Sequence, residues 1–258
     1  MERPGFLDLE PRPAKPRRSG VTAVIDGGLP VDEIAGLLAA HADFIDVWKL
    51  GWGSAYLDTN LSAKLELLRQ HGVAACTGGT LLEIAALQGR AEACIEWAAA
   101  CGFPFVEVSD GLELLGPVRK AELIALARGS VGVIAEVGAK DPERTLSPQS
   151  WVDLARADLD AGAEWVIAEG RESGSVGIYA RDGAVRADVI DALLEHVAAD
   201  RLLFEAPRKD QQAWFINHVG AQVNLSNVTP REAVGVEALR LGLRADTTAS
   251  ALLRRIPV

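Results

Sequence analysis

An alternation constrains this chain more than any other feature. Short runs rich in β-branched and other apolar residues recur at 21–25, 44–50, 73–76, 103–108, 131–137, 164–168, 201–204 and 221–225. Stretches with helical periodicity follow them, near 31–41, 61–71, 81–100, 117–128, 147–161, 186–198, 209–218 and 230–241. Strands separated by helices predict a parallel sheet, because a parallel neighbour needs a crossover connection. Boundary signals agree. Ser147-Pro148 and Thr229-Pro230 each pair a capping hydroxyl with a proline at the first helical position, and Asp58 or Asn60 suits the start of the second helix. Gly72, Gly102, Gly162 and Gly220 each fall shortly before a strand, where a helix must stop.

Eight such repeats predict an α/β fold, a single-domain (β/α)8 TIM barrel, which takes roughly 250 residues; the chain has 258. An open doubly wound sheet is the competing arrangement, but no G-x-G-x-x-G follows the first strand. The even strand spacing leaves no break for a second domain. Residues 1–20 hold Pro4, Pro11, Pro13 and Pro16 with Lys15, Arg17 and Arg18. Proline removes amide donors, so this segment predicts an extended surface arm, with an oligomer contact or a plug beneath the barrel as alternatives. The barrel itself is expected over 21–258.

The formal charge of -10 argues against general binding to nucleic acid or anionic membranes, since an acidic surface repels phosphate. Three cysteines (Cys76, Cys94, Cys101), no 18-residue apolar run and no apolar leader near the start place the expected location in a reducing cytoplasm. No zinc spacing appears: His41, His71, His196 and His218 all fall in predicted helices or at their ends. Serine-hydrolase and P-loop motifs are also missing.

In a barrel of this type, chemistry gathers at the C-terminal ends of the strands. There the sequence places Asp26, Lys49, Glu107, Glu136, Lys140, Glu169, Arg171, Ser173, Glu205, Arg208, Lys209, Asn224 and Asn227. Lys49 and Glu136 directly follow apolar residues, so their side chains are expected in the barrel mouth, where an unpaired charge would be costly. The cations suit phosphate, carboxylate or sulfonate. The clustered carboxylates repel one another unless a cation intervenes, and a hard ion such as Mg2+ takes oxygen ligands of this kind. The glycine pairs Gly51/Gly53, Gly78/Gly79 and Gly170/Gly174 add backbone amides that an anion can approach.

Several strings are similar to a known family. Lys49-Leu-Gly-Trp-Gly-Ser54, Gly78-Gly-Thr-Leu-Leu-Glu83, Val106-Glu-Val-Ser-Asp-Gly111, Glu136-Val-Gly-Ala-Lys140, Glu169-Gly-Arg-Glu-Ser-Gly174, Phe204-Glu-Ala-Pro207 and Leu239-Arg-Leu-Gly-Leu-Arg244 stand in the order seen in phosphosulfolactate synthases. The similarity runs from about residue 18 to 248. It implies a Mg2+-dependent lyase that adds sulfite to phosphoenolpyruvate, giving (2R)-2-O-phospho-3-sulfolactate for coenzyme M biosynthesis, in a homo-oligomer, a trimer. It further implies that Lys140 is the catalytic acid, with a plain phosphate or sulfite ligand as the alternative. Lys49, Arg171, Ser173, Arg208, Asn224 and Arg244 are the candidates for the substrate anions, and Glu136, Glu169 and Glu205 for the metal, with ion pairs to neighbouring cations as the alternative for each glutamate. Arg244 has a second reading, an ion pair with Asp246. Three strings depart from the family pattern. Ser175-Val-Gly-Ile178 stands where Lys-Gly-Ile-Gly is usual, Arg244-Ala-Asp-Thr247 where Arg-Gly-Asp-Thr is usual, and Arg208 where glutamine is common. Either Arg208 replaces the lost charge or the nucleophile differs from sulfite. A related phosphoenolpyruvate-using barrel with another nucleophile or an isomerase activity, and a non-catalytic oligomeric barrel, stay open as readings.

Overall fold

A computed structural model describes residues 5–138, 145–171 and 173–253. In chain order the elements are β1 Thr22–Asp26, α1 Val31–His41, β2 Val47–Leu50, α2 Ser54–Leu57, α3 Leu61–Gln70, β3 Ala74–Thr77, α4 Gly79–Leu87, α5 Ala91–Cys101 and β4 Phe105–Val108. They continue with α6 Gly116–Ala127, β5 Gly132–Val137, α7 Pro148–Ala161, β6 Trp165–Ala168, α8 Ala187–His196, β7 Leu202–Glu205, α9 Lys209–His218, β8 Leu225–Val228, α10 Ala233–Arg240 and α11 Ala245–Leu253. The eight strands are all parallel, each pairs with its sequence neighbour, and β8 returns to β1 to close the barrel.

The alternation of side chains along each strand builds two cores. Outward residues such as Val24, Trp48, Val106, Ala135, Val166 and Phe204 pack against the helices. Inward residues Ala23, Val47, Cys76, Ile134, Ile167 and Leu203 fill the barrel itself. Among the described residues no helix is long and apolar enough to cross a membrane.

Local chemistry sets the boundaries. Ser147 accepts the amide of Ser150 at 3.1 Å with Pro148 at the first helical position of α7. Gly102 and Gly162 end α5 and α7 at φ of 89° and 117°, a region that favours glycine. The helix expected over 81–100 is instead two, α4 and α5, separated at Gly89 (φ 66°). Strand eight is also displaced: its run of apolar residues suggested 221–225, but the ladder occupies Leu225–Val228.

The described part of the proline-rich arm does not hang free on the surface. It runs beneath the N-terminal end of the barrel. Arg12 pairs with Glu237 at 2.7 Å and Asp46 at 3.4 Å, and Arg17 pairs with Asp46 at 2.8 Å. Lys15 donates to the carbonyls of Ala42 and Ile45. These contacts make the arm a floor for the barrel, the plug alternative rather than the surface arm.

Candidate active site

One layer above the apolar barrel interior, the inward side chains turn polar. Two residues beyond Val47 stands Lys49; beyond Phe105, Glu107; beyond Ile134, Glu136; beyond Ile167, Glu169; beyond Leu203, Glu205. The strand period of two therefore aims one charged residue from each of five strand ends at a single cleft of about 170 Å³. Trp52, Gly78, Gly79, Arg171 and Asn227 also line it.

Lys49 is buried and lies 3.0 Å from Glu107 Oε2 and 3.5 Å from Glu205 Oε1. Burial works against its charge, but the attraction of Glu107, Glu205 and Glu136 and the hydrogen bond to Glu107 more than offset it. The ammonium is held well above the usual lysine range. A single ammonium does not neutralise every carboxylate around it. Desolvation pushes Glu107 up to about 7 against the pull of Lys49, with Glu136 adding repulsion. Glu107 Oε1 accepts the amide of Gly79 at 2.8 Å. Glycine is required there: a Cβ on Gly79 would stand 2.1 Å from Ser109 Oγ and 2.9 Å from Glu107 Oε1.

Glu136, Glu169 and Glu205 offer oxygens that all lie within 4.8 Å of one another, and all three residues are buried. Backbone amides orient two of them: Glu205 Oε2 accepts Gly170 N–H at 2.9 Å and Glu169 Oε1 accepts Arg171 N–H at 2.7 Å. Arg171 takes the left-handed conformation (φ 53°) to make this turn, which brings its side chain to the cleft. Glu136 is steadied from behind, because buried Lys120 donates to its carbonyl at 2.7 Å and to Asp158 at 2.6 Å. An all-oxygen, buried, triply acidic donor set fits a hard divalent cation and suits soft metals poorly.

The structure brings Lys49, Arg171, Glu136, Glu169 and Glu205 together. It does not bring four other candidates. Asn224 sits at the opposite end of the barrel, where it accepts Val21 N–H at 2.8 Å and donates to the carbonyls of Arg18 and Leu202. It precedes β8 rather than ending it, which corrects its assignment to substrate. Arg208 caps α9 and clamps the loop after β6, donating to the Gly183 carbonyl at 3.1 Å; it does not line the cleft and does not replace a cation there. Ser173 is exposed and accepts from Ser175. Arg244 lies outside the barrel beside Gly235, and Asp246 pairs with Lys209 at 2.7 Å instead. Lys140 lies outside the described residues.

Asn227 and Glu107 also line the cleft; the sequence places both at strand ends but assigns neither a ligand. Asn227 donates to Glu205 Oε1 from a left-handed backbone (φ 54°). It reaches inward because β8 carries a bulge: Leu225 pairs with Thr22 but Val228 with Val24, so Ser226 and Asn227 share the span of one residue. A strict period of two does not predict this inward direction. The signal for Glu107 was present, since Phe105-x-Glu107 repeats the pattern of the other strands.

A closed barrel with a charged cleft at the C-terminal strand ends defines a (β/α)8-barrel enzyme. Solved structures share the architecture: a 3-hexulose-6-phosphate synthase superposes with a TM-score of 0.56 at 16% identity, over 85% of this chain and 97% of its own. The sequence narrows this further. Residues 10–246 match the family model of (2R)-phospho-3-sulfolactate synthase. A phosphosulfolactate synthase of Methanothermobacter thermautotrophicus is 41% identical over 92% of this chain and 94% of its own. One of Bacillus subtilis is 37% identical over 93% and 97%. The chain belongs to the phosphosulfolactate synthase family.

Proposed function

We propose that this protein catalyses the Mg2+-dependent addition of sulfite to phosphoenolpyruvate, forming (2R)-2-O-phospho-3-sulfolactate. The observation that carries this reading is the cleft itself, with three clustered glutamates and Lys49 in one buried layer and Arg171 at its lip. In this reaction the sulfur lone pair of sulfite forms a bond to C3. The C2–C3 π electrons move toward the carboxylate, and a proton then closes C2, so nothing leaves. Glu136, Glu169 and Glu205 would hold Mg2+, which when bound stabilises the negative charge developing on the carboxylate. Lys49, fixed between Glu107 and Glu205, presents a permanent ammonium to the same charge without reorganisation during the reaction. Arg171 at the lip binds the phosphate or sulfite, a role that suits a planar guanidinium. The glycines of the cleft let substrate oxygens approach the backbone. Lys140, by its match to the family string, delivers the proton to C2.

The same reading makes the protein a cytoplasmic homo-oligomer of three copies. Trp52, Tyr56 and Leu57 follow β2 and are 61%, 73% and 76% exposed, an apolar surface suited to contact between copies.

The test is direct. Protein, phosphoenolpyruvate, sulfite and Mg2+ are mixed and the phosphorus NMR spectrum is followed. Phosphosulfolactate is the expected product. Folded protein that yields none at millimolar sulfite overturns the reading, and turnover with a different nucleophile moves it to a related barrel activity. Lys140→Met should abolish net addition while leaving phosphoenolpyruvate affinity within about tenfold.

A further inference from the structure

At the opposite end of the strands from the cleft lies a second cavity, of about 420 Å³. Lys15, Arg17 and Arg18 of the arm line it together with Arg201, which precedes β7. Its inner wall is apolar, with Phe105 and Trp165 in tilted contact at 5.5 Å. Asp46 and Glu164 are the acidic residues of the lining.

The charges around this cavity do not balance. Asp46 is already engaged by Arg17 at 2.8 Å and Arg12 at 3.4 Å. Lys15 donates to the carbonyls of Ala42 and Ile45, and Arg201 to those of Ala163 and Glu164. Among the described residues, Lys15, Arg18 and Arg201 form no ion pair. Arg240 lies fully buried nearby, donating to the carbonyls of Ala221, Val223 and Val21. The surplus also acts on the cations themselves. Burial, followed by repulsion from Arg12, lowers Arg240 to about 9, and burial lowers Lys15 and Arg12 despite the attraction of Asp46. On a chain of net charge -10, such a surplus of desolvated cations is an arrangement that an added anion would relieve.

We propose that this floor cavity is a second ligand site, for a small organic anion that carries a phosphate or carboxylate on a flat apolar body. The acidic group meets Arg18, Lys15 and Arg201, and the apolar body lies against Phe105, Trp165 and the ring of Pro16. The site shares no lining residue with the cleft, so its occupancy is independent of the reaction. Bound anion stabilises the folded chain, because it binds a surface that the unfolded chain lacks.

Phenyl phosphate is the probe, titrated calorimetrically into the full chain, with inorganic phosphate and phenol for comparison. One site per chain is expected, tighter than for inorganic phosphate, with no binding of phenol. Arg18 is exposed, so Arg18→Ser and Arg18→Glu keep the fold intact. Arg18→Ser should weaken phenyl phosphate about tenfold, the loss of one charge-assisted hydrogen bond, and Arg18→Glu more. Lys49→Met, in the cleft, should leave this affinity unchanged. Absence of binding, affinity indifferent to both Arg18 variants, or affinity lost in Lys49→Met overturns the proposal.

Discussion

The two ends of the barrel solve opposite electrostatic problems with different parts of the chain. At the mouth, strand residues one pleat above the apolar core supply Glu107, Glu136, Glu169 and Glu205 around Lys49. At the floor, the arm and the helix ends supply Arg12, Lys15, Arg17 and Arg240 around Asp46 and Glu237. The mouth charges are fixed by the pleat and converge on one cleft. Most floor charges are spent on backbone carbonyls and on holding the arm in place. The pattern matches the division of labour in this fold, with chemistry at the C-terminal face and stability at the N-terminal face.

That division can be broken by experiment. The largest effect is expected from Glu136→Gln, which removes a carboxylate from the triad; sulfite addition should fall by about 10²–10³-fold with the melting temperature nearly unchanged. A floor substitution should do the reverse. Arg12→Met breaks the buried 2.7 Å ion pair with Glu237 and should cost about 3 kcal/mol in denaturant unfolding, while kcat/KM for sulfite addition stays near wild type. Equal losses of activity in both variants would erase the distinction between the ends.

Smaller effects sharpen it. Gly79→Ala forces a methyl group onto Ser109 and Glu107 and should cost about 1–3 kcal/mol by the same unfolding assay. Because Glu107 also positions Lys49, this variant should lose turnover as well. The smallest expected effect is a pH dependence. Glu107 is raised from 4.5 in the unfolded chain to about 7 in the fold, so the native state binds the extra proton between these values. Its contribution to stability is therefore greatest at low pH and is lost as pH rises from about 4.5 through 7. Glu107→Gln should flatten the stability profile over that window, read from urea midpoints at successive pH values.

The sequence carried the barrel and most of the mouth for one physical reason: the pleat. Wherever a strand is regular, a charge two residues past an inward apolar side chain points into the cleft, as Glu136, Glu169 and Glu205 do. Where the pleat is broken, reading by position fails. The bulge in β8 moved Asn227 inward, and the displaced start of that strand left Asn224 at the floor. Arg208 and Arg244 failed for a different cause. Arg208 follows β7 and Arg244 follows α10, in connections where the chain path decides direction, and an arginine there serves a helix start or a loop as readily as a substrate. The arm was legible as extended, but its partners Asp46 and Glu237 are remote in sequence and carry no pattern of their own.

The proposed function requires the acidic mouth to hold a cation beside anionic substrates, and metal binding tests this most directly. Calorimetric titration of the full chain with Mg2+ is expected to show one site per chain, lost in the Glu136→Gln/Glu205→Gln double variant and retained in Arg12→Met. Absence of Mg2+ binding by the folded wild-type chain, or equal binding in the double variant, would contradict it.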